Sequence, residues 1–146
     1  ETILKKGGNV IGIIPSLLKK EEVVNKNVTE LIITKTMSER KVMMSKLADG
    51  YISLPGGFGT LDELFEGLTL GQLHIEQKPN GILNINGFFN HTLKQLDHMV
   101  TEGYLNKENK EMLLIGNNVS ELMLKMDSYT APKKSAVINK VIKHDH

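Results

Sequence analysis

The sequence predicts an α/β fold, with a mostly parallel sheet flanked by helices. Short runs of aliphatic residues, each long enough for one buried strand, recur along the 146-residue chain. Between them lie longer stretches in which apolar residues repeat at helical spacing. Strands that alternate with helices are typical of βαβ units, whose strands run in parallel. Ligands of such sheets bind at the carboxyl ends of the strands, so we expect functional residues there.

Five segments are predicted as strands because each is a continuous apolar run, as expected for a strand buried on both faces. Pro15 ends the first of them, and Pro55-Gly56-Gly57 ends the third. The predicted strands are residues 10–14, 31–34, 51–54, 81–85 and 112–115.

Helices are predicted between the strands, over residues 39–48, 61–75, 92–102 and 120–126. In the third, Leu93, Leu96 and Met99 lie on one apolar stripe, and Gly103 is placed to end the helix.

The two ends of the chain differ from this alternation. Residues 1–6 followed by Gly7-Gly8 resemble the last turns of a helix and its C-cap, so we expect that a preceding segment with the first strands is missing. We predict one domain over residues 1–127. Residues 128–146 carry four Lys and one Asp, net +3, and are predicted to be a flexible basic tail with a short helix at 136–142.

Composition excludes several classes of protein. With 18 Lys+Arg against 17 Asp+Glu, the net charge is +1, which argues against a nucleic-acid binder that relies on bulk charge. The chain has no Cys, hence no disulfide and no thiolate metal site. No apolar run approaches the roughly 18 residues of a membrane span, and no signal-peptide pattern opens the chain. We expect a cytoplasmic protein.

The densest motif is the glycine-rich segment at residues 55–59, between a predicted strand and a predicted helix. Glycines there can adopt positive φ and let a ligand approach the backbone. The amide groups that open the following helix favour an anion, above all a phosphate. An ordinary strand-to-helix turn needs one or two glycines, whereas this one has three.

Thr60 and Glu63 allow two interpretations. Thr-x-x-Glu is a capping box, in which Thr60 would be the N-cap and accept the Glu63 amide. Spacing alone favours this structural interpretation. Glu63 is functional only if its carboxylate instead faces a ligand.

The remaining polar segments give weaker signals. Arg40 and Lys41 begin a predicted helix, where cations oppose the helix dipole, so they indicate either an anionic ligand or a solvated helix start. Glu22 follows the first strand and is by itself a surface charge. No nucleophile elbow and no Walker lysine is present. The histidines lack metal-ligand spacing: His74, His91 and His98.

Two motifs carry a resemblance to a known family. Residues 55–63 match the PGGxGTxxE signature of the LONELY GUY (LOG) family, the cytokinin riboside 5′-monophosphate phosphoribohydrolases, some of which were once labelled lysine decarboxylases. Residues 37–41 are similar to the family's M-x-x-R-K motif. The resemblance extends over about residues 7–126.

The resemblance implies a Rossmann-like fold, a homodimer or larger homo-oligomer, and hydrolysis of the N-glycosidic bond of a nucleoside 5′-monophosphate. The products would be a free base and ribose 5-phosphate. Arg40 and Glu63 match the catalytic pair of the family. The positions that match substrate contacts are Glu22, Lys41, Gly56, Gly57, Phe58, Gly59, Thr60, Leu61, Asp62 and Thr69.

These matches imply a mechanism without metal or organic cofactor. Glycosidic cleavage develops positive charge on the ribose, which the Glu63 carboxylate would stabilise, while Arg40 would balance the charge on the departing base. The alternative is a regulatory or carrier module that binds a nucleotide without hydrolysis. It would need the glycines but not the Arg40/Glu63 pair. No nucleic acid and no membrane is expected as a partner.

Overall fold

The computed structural model describes residues 2–18 and 27–133. The chain divides into two compact units, Glu1–Ala48 and Asp49–His146. Each contains parallel strands and the helices that pack on them, so each is described separately below.

The first unit contains a two-stranded parallel sheet. Helix α1 (Thr2–Lys5) precedes strand β1 (Ile11–Pro15), a short 3-10 helix (Ser16–Leu18), strand β2 (Glu30–Thr34) and helix α2 (Met37–Leu47). The strands pair in register from Ile11 opposite Glu30 to Pro15 opposite Thr34. Gly7, two residues after the end of α1, has a φ of 77° and its amide donates a hydrogen bond to the Leu4 carbonyl, as predicted for a glycine that ends a helix.

The second unit contains a three-stranded parallel sheet in the order β3-β4-β5. Its strands are β3 (Tyr51–Ser53), β4 (Asn80–Leu83) and β5 (Leu113–Gly116). A short 3-10 helix (Ile85–Gly87) follows β4. The α-helices are α3 (Phe58–Gln72), α4 (Asn90–Thr101), α5 (Lys107–Lys110) and α6 (Val119–Asp127).

Helices cover both faces of the second sheet, and successive side chains of β4 point to opposite faces. Ile82 of β4 is fully buried in a cluster with Leu64 of α3 and Phe89. Gly81, the neighbouring residue, faces α6, and a Cβ there would lie 2.8 Å from a methyl of Leu122. The apolar run in β4 is therefore buried on both faces, as predicted. The same prediction is wrong for β1, β2 and β3, which leave Ile11, Leu31, Ile33 and Ile52 exposed.

The predicted α/β class and the parallel strands are confirmed. Each observed strand lies within one to two residues of its predicted bounds. Helix α5 was not predicted, because four residues are too few to show helical periodicity. The predicted helix at 136–142 lies outside the described residues. None of the helices in the described ranges is both long and apolar enough to cross a membrane.

Candidate functional site

The glycine-rich turn, residues 55–59, leaves the carboxyl end of β3 and enters α3. It is exposed to solvent along its whole length. Positive φ among the described glycines occurs only at Gly7, Gly87 and Gly103, so the turn does not use its glycines for left-handed backbone conformations. The predicted positive φ at these glycines is therefore wrong, and close approach of a ligand remains as the reason for glycine.

The three glycines of the turn have different surroundings. A Cβ on Gly56 would collide with the Thr60 hydroxyl, so any other residue here would require the Thr60 side chain to move. A Cβ on Gly57 or on Gly59 would meet nothing within 4 Å. Packing of the described chain therefore leaves open space over Gly57 and Gly59, where a ligand can reach the backbone.

Helix α3 begins at Phe58 with Gly57 as its N-cap, three residues before the predicted start. Thr60 consequently lies inside the first turn, and its amide donates to the Gly57 carbonyl at 3.1 Å. The predicted capping box, with Thr60 as N-cap and Glu63 as its partner, is wrong. Gly57 provides no side-chain cap, and the first turn contains no acidic residue. The positive end of the helix dipole is thus available to an anion.

Helical caps of the predicted kind occur elsewhere in the chain. Thr36 accepts the Glu39 amide at 3.1 Å at the start of α2, and Asn118 accepts the Glu121 amide at 2.9 Å at the start of α6. Both have the three-residue spacing of the Thr60 and Glu63 pair, so the same sequence signal marks the true N-caps of α2 and α6.

Glu63 is half-buried and lies one turn after Gly59. Residues four apart share a helix face, and helical side chains lean toward the N-terminus. The Glu63 side chain therefore leans toward the open space over Gly59. This geometry combines a carboxylate with an anion-attracting helix start on one face of α3.

The other predicted contacts on α3 have different environments. Phe58 is 95% exposed beside the open glycines, and Asp62 is exposed. Leu61 packs against the buried core cluster, so only its backbone can face a ligand at the turn. Thr69 lies about 16 Å along the helix from Phe58. Its hydroxyl donates to the Phe65 carbonyl at 2.7 Å.

Thr69 borders a separate cavity of about 260 Å³ between α3 and α4. Its lining is mainly apolar and includes Phe65, Leu68 and Met99. The structure therefore groups Gly56 to Glu63 at the start of α3 and does not bring Thr69 to them.

Arg40 and Lys41 lie in the first two turns of α2, in the first unit. Arg40 is half-buried, and its Nε donates to the Ile13 carbonyl in β1 at 3.1 Å. This bond ties the guanidinium to the strand and fixes its direction. The Glu39 carboxylate accepts the Lys35 amide at 2.7 Å and supplies negative charge at the start of the helix.

A groove of about 580 Å³ lies at the carboxyl ends of β1 and β2. Residues 15–17 and 35–37 line it. Sequence reasoning placed chemistry at this edge of the sheet but did not identify the groove, which depends on the course of the two loops. Glu22 lies outside the described residues.

Comparison with known sequences identifies the family. The sequence model of a family described as "possible lysine decarboxylase" matches residues 1–126, a span that includes the glycine-rich turn, Glu63 and Arg40. The chain belongs to this family. The curated relatives that match carry the LOG name, so the family is the one that the two motifs indicate.

Three of these relatives show the extent of the similarity. Cytokinin riboside 5′-monophosphate phosphoribohydrolase LOG5 of Arabidopsis thaliana is 36% identical over 140 residues, covering 96% of this chain and 61% of the relative. Cytokinin riboside 5′-monophosphate phosphoribohydrolase LOG of Oryza sativa subsp. japonica is 41% identical over 123 residues, which cover 84% of this chain and 51% of the relative. LOG3 of Arabidopsis thaliana is 39% identical over 135 residues, which cover 92% of this chain and 62% of the relative.

The chain spans between 51% and 65% of the length of the curated relatives it matches. These eight relatives are all named as cytokinin riboside 5′-monophosphate phosphoribohydrolases, and the three rice proteins other than LOG are named as probable ones.

Proposed function

We propose that this LOG-family protein hydrolyses the N-glycosidic bond of a nucleoside 5′-monophosphate, releasing the free base and ribose 5-phosphate. The observation that carries the proposal is the start of α3, where open glycines, an uncapped helix end and the Glu63 carboxylate lie within two turns. The names of the relatives support the same reaction. Nothing in the comparisons supports a non-hydrolytic binding module.

In this proposal the glycine-rich turn holds the 5′-phosphate. The amides of Gly57, Phe58 and Gly59 would donate to phosphate oxygens, and the helix dipole adds to their attraction. Binding energy gained at the phosphate then positions the ribose for reaction. Gly56 and Thr60 shape this turn, whereas we assign Thr69 no part in phosphate binding because of its distance along α3.

Glu63 is proposed to act on the sugar. Positive charge develops on the ribose as the C1′–N bond breaks, and a carboxylate beside it lowers the energy of that state. The same oxygen atoms can orient or deprotonate the attacking water.

Arg40 is proposed to balance the negative charge that collects on the departing base. A guanidinium stays protonated, so it does this without giving up a proton. Its bond to the Ile13 carbonyl leaves the two Nη atoms as the groups for this role. Lys41 and Glu22 are proposed as further substrate contacts by family resemblance alone.

The phosphate site is tested with Gly59→Ala in the full-length protein. Nothing lies within 4 Å of the added methyl, and Ala favours a helix over Gly, so the melting temperature should stay level or rise. AMP affinity should fall at least about ten-fold, because the added methyl would occupy the phosphate position.

A second test compares two substrates of the parent protein, which should turn over AMP far faster than adenosine. Equal turnover of the two, or unchanged AMP affinity in the variant, contradicts the assignment.

The catalytic role is tested with Glu63→Gln. Gln keeps the length and hydrogen-bonding shape but lacks the charge, so kcat should fall about 100-fold or more while AMP still binds. Turnover within a few-fold of the parent would refute the role of Glu63. Chromatography of the released base measures turnover, and calorimetry measures binding.

We also propose a homodimer or larger homo-oligomer in the cytoplasm, by family resemblance and composition. Light scattering of the full-length protein at micromolar concentration tests the first, with a monomer mass as the contrary result. Cell fractionation tests the second.

A further inference from the structure

The start of helix α2 contains a hydrogen-bonded box that has no part in the mechanism proposed above. The Thr36 hydroxyl accepts the Glu39 amide at 3.1 Å, and the Glu39 carboxylate accepts the Lys35 amide at 2.7 Å. Both bonds join the residues that precede the helix to its first turn. Because a carboxylate that accepts a backbone amide makes a short, strong hydrogen bond, the box fixes the direction in which α2 leaves β2.

The box is also tied to both strands of the first unit. The buried Thr34 side chain, at the end of β2, donates to the Thr36 carbonyl at 3.1 Å. The Ser16 hydroxyl, which follows β1, donates to the Lys35 carbonyl at 3.4 Å. Pro15 and Thr34 are paired in the sheet, so the segments that follow them are neighbours. The helix start therefore has a defined place relative to the carboxyl ends of both strands.

Arg40 is the residue that follows this box. Its amide donates to the Thr36 carbonyl at 3.2 Å, so the backbone of Arg40 is attached to the N-cap residue itself. Its Nε donates to the Ile13 carbonyl of β1 at 3.1 Å. No residue of α2 is buried among the described residues, so the direction of the guanidinium depends on these hydrogen bonds rather than on close packing.

The same box occurs at the start of α6, away from the proposed mechanism. Asn118 accepts the Glu121 amide at 2.9 Å, and the Glu121 carboxylate accepts the Asn117 amide at 2.9 Å. The residue that follows this box is Leu122, which is buried in the core. The box is thus a local way to start a helix, and what it does beyond that depends on the residue that it carries.

We infer that Glu39 is a positioning residue that holds Arg40 in the orientation needed for departure of the base. The inference rests on the proposed function, since it takes Arg40 to balance the charge on the departing base. Without the Glu39 carboxylate, the first turn of α2 loses its bond to the Lys35 amide, and the backbone of Arg40 is free to shift with it. A guanidinium misplaced by about 1 Å stabilises the transition state poorly, which lowers kcat more than it weakens substrate binding.

The test compares three variants of the full-length protein: Glu39→Ala, Glu39→Gln and Glu121→Ala. Gln keeps an oxygen that can accept the Lys35 amide, whereas Ala has none. Glu121→Ala removes the equivalent bond at α6 and is the matched control. Chromatography of the base released from AMP gives kcat and KM, and thermal melting gives stability. Exchange of the Arg40 Nε–H with solvent, followed by NMR and assigned with Arg40→Lys, reports on the bond to Ile13 directly.

Glu39→Ala should lower kcat for AMP about ten-fold, with KM within about three-fold of the parent. It should also speed exchange of the Arg40 Nε–H at least about ten-fold, because the bond to Ile13 opens more often. Glu39→Gln should keep both values within about three-fold of the parent. Glu121→Ala should lower the melting temperature at least as much as Glu39→Ala, since it also removes the ion pair with Lys125, and should leave kcat and the exchange rate unchanged.

A double-mutant cycle separates a positioning role from a general effect on the fold. If Glu39 acts through Arg40, Glu39→Ala should lower kcat no further in a protein that already carries Arg40→Ala. An equal fall of kcat in both backgrounds overturns the inference, as does unchanged exchange of the Arg40 Nε–H in Glu39→Ala. A parent that releases no base contradicts the proposed hydrolysis alone, because the exchange rate still shows whether Glu39 holds Arg40.

Discussion

Asn80, the first residue of β4, carries a buried amide whose replacement should stabilise the protein. The residue is 3% exposed, and neither its Oδ1 nor its Nδ2 has a hydrogen-bond partner among the described residues. Its side chain lies against the backbone of Gly67 in α3, where any Cβ would collide with the amide nitrogen. Asn80→Val removes both polar atoms, shortens the side chain at this tight contact and suits a buried strand.

The size of the effect follows from the cost of burying an unsatisfied polar group. That cost is about 1–3 kcal/mol in proteins, so Asn80→Val should raise the free energy of unfolding by about 2 kcal/mol. For a chain of this length, such a gain corresponds to a rise of about 4–8 °C in melting temperature.

Asn84 provides a matched control in the same part of the sheet. It is also buried, at 8% exposure, but its Oδ1 accepts the Phe89 amide at 2.8 Å. Asn84→Val leaves that buried amide without its partner, so it should lower stability by about 1–3 kcal/mol. Identical substitutions of two buried asparagines should therefore have opposite signs.

Thermal melting and urea denaturation measure both variants. A lower or unchanged melting temperature for Asn80→Val refutes the reasoning, because it means that the amide is satisfied, for example by a buried water. Equal effects of the two substitutions would show that hydrogen bonding does not distinguish the sites.

Two further stability predictions concern helix ends. His74 follows the C-cap of α3 and has a φ of 57°, a left-handed conformation that costs a non-glycine residue about 1 kcal/mol. His74→Gly should therefore raise the urea midpoint of unfolding, although it removes the hydrogen bond between His74 and Gln77. A lower midpoint would contradict this prediction. The hydrogen bond from Lys125 holds the pKa of Glu121 below its usual value, so the contribution of the pair to stability is fully present above the usual pKa and is lost as pH falls through the lowered one. Glu121→Gln should lower the melting temperature at pH 7, and its difference from the parent should shrink as pH falls below the usual glutamate pKa, whereas a constant difference would contradict the role of charge.

The sequence alone determined the fold class and the position of each strand. A continuous apolar run such as residues 112–115 is typical of a strand between two layers, and the alternating helical segments supply those layers. The sequence also places the glycine-rich turn correctly, because Pro55 ends a strand and a helical pattern follows. These features are local, so neighbouring residues suffice to predict them.

Helix starts depended on the fold. Thr60 and Thr36 have the same capping spacing, but Thr36 is the N-cap of α2, whereas Thr60 lies inside α3, which begins at Phe58 with Gly57 as its N-cap. The capping pattern gives the partners that a residue can have, and the surrounding backbone selects among them.

Tertiary structure alone decided which polar and apolar groups are exposed. Asn80 and Asn84 are the same residue type, four positions apart, yet of the two only Asn84 has side-chain hydrogen bonds among the described residues, because the chain after β4 brings the Phe89 amide and the Asn90 side chain to it. Phe88 and Phe89 are adjacent phenylalanines, and only the turn at Asn86 and Gly87 puts one in the core and the other at the surface. Burial depends on how the folded chain packs around each residue, and a one-dimensional pattern does not contain that packing.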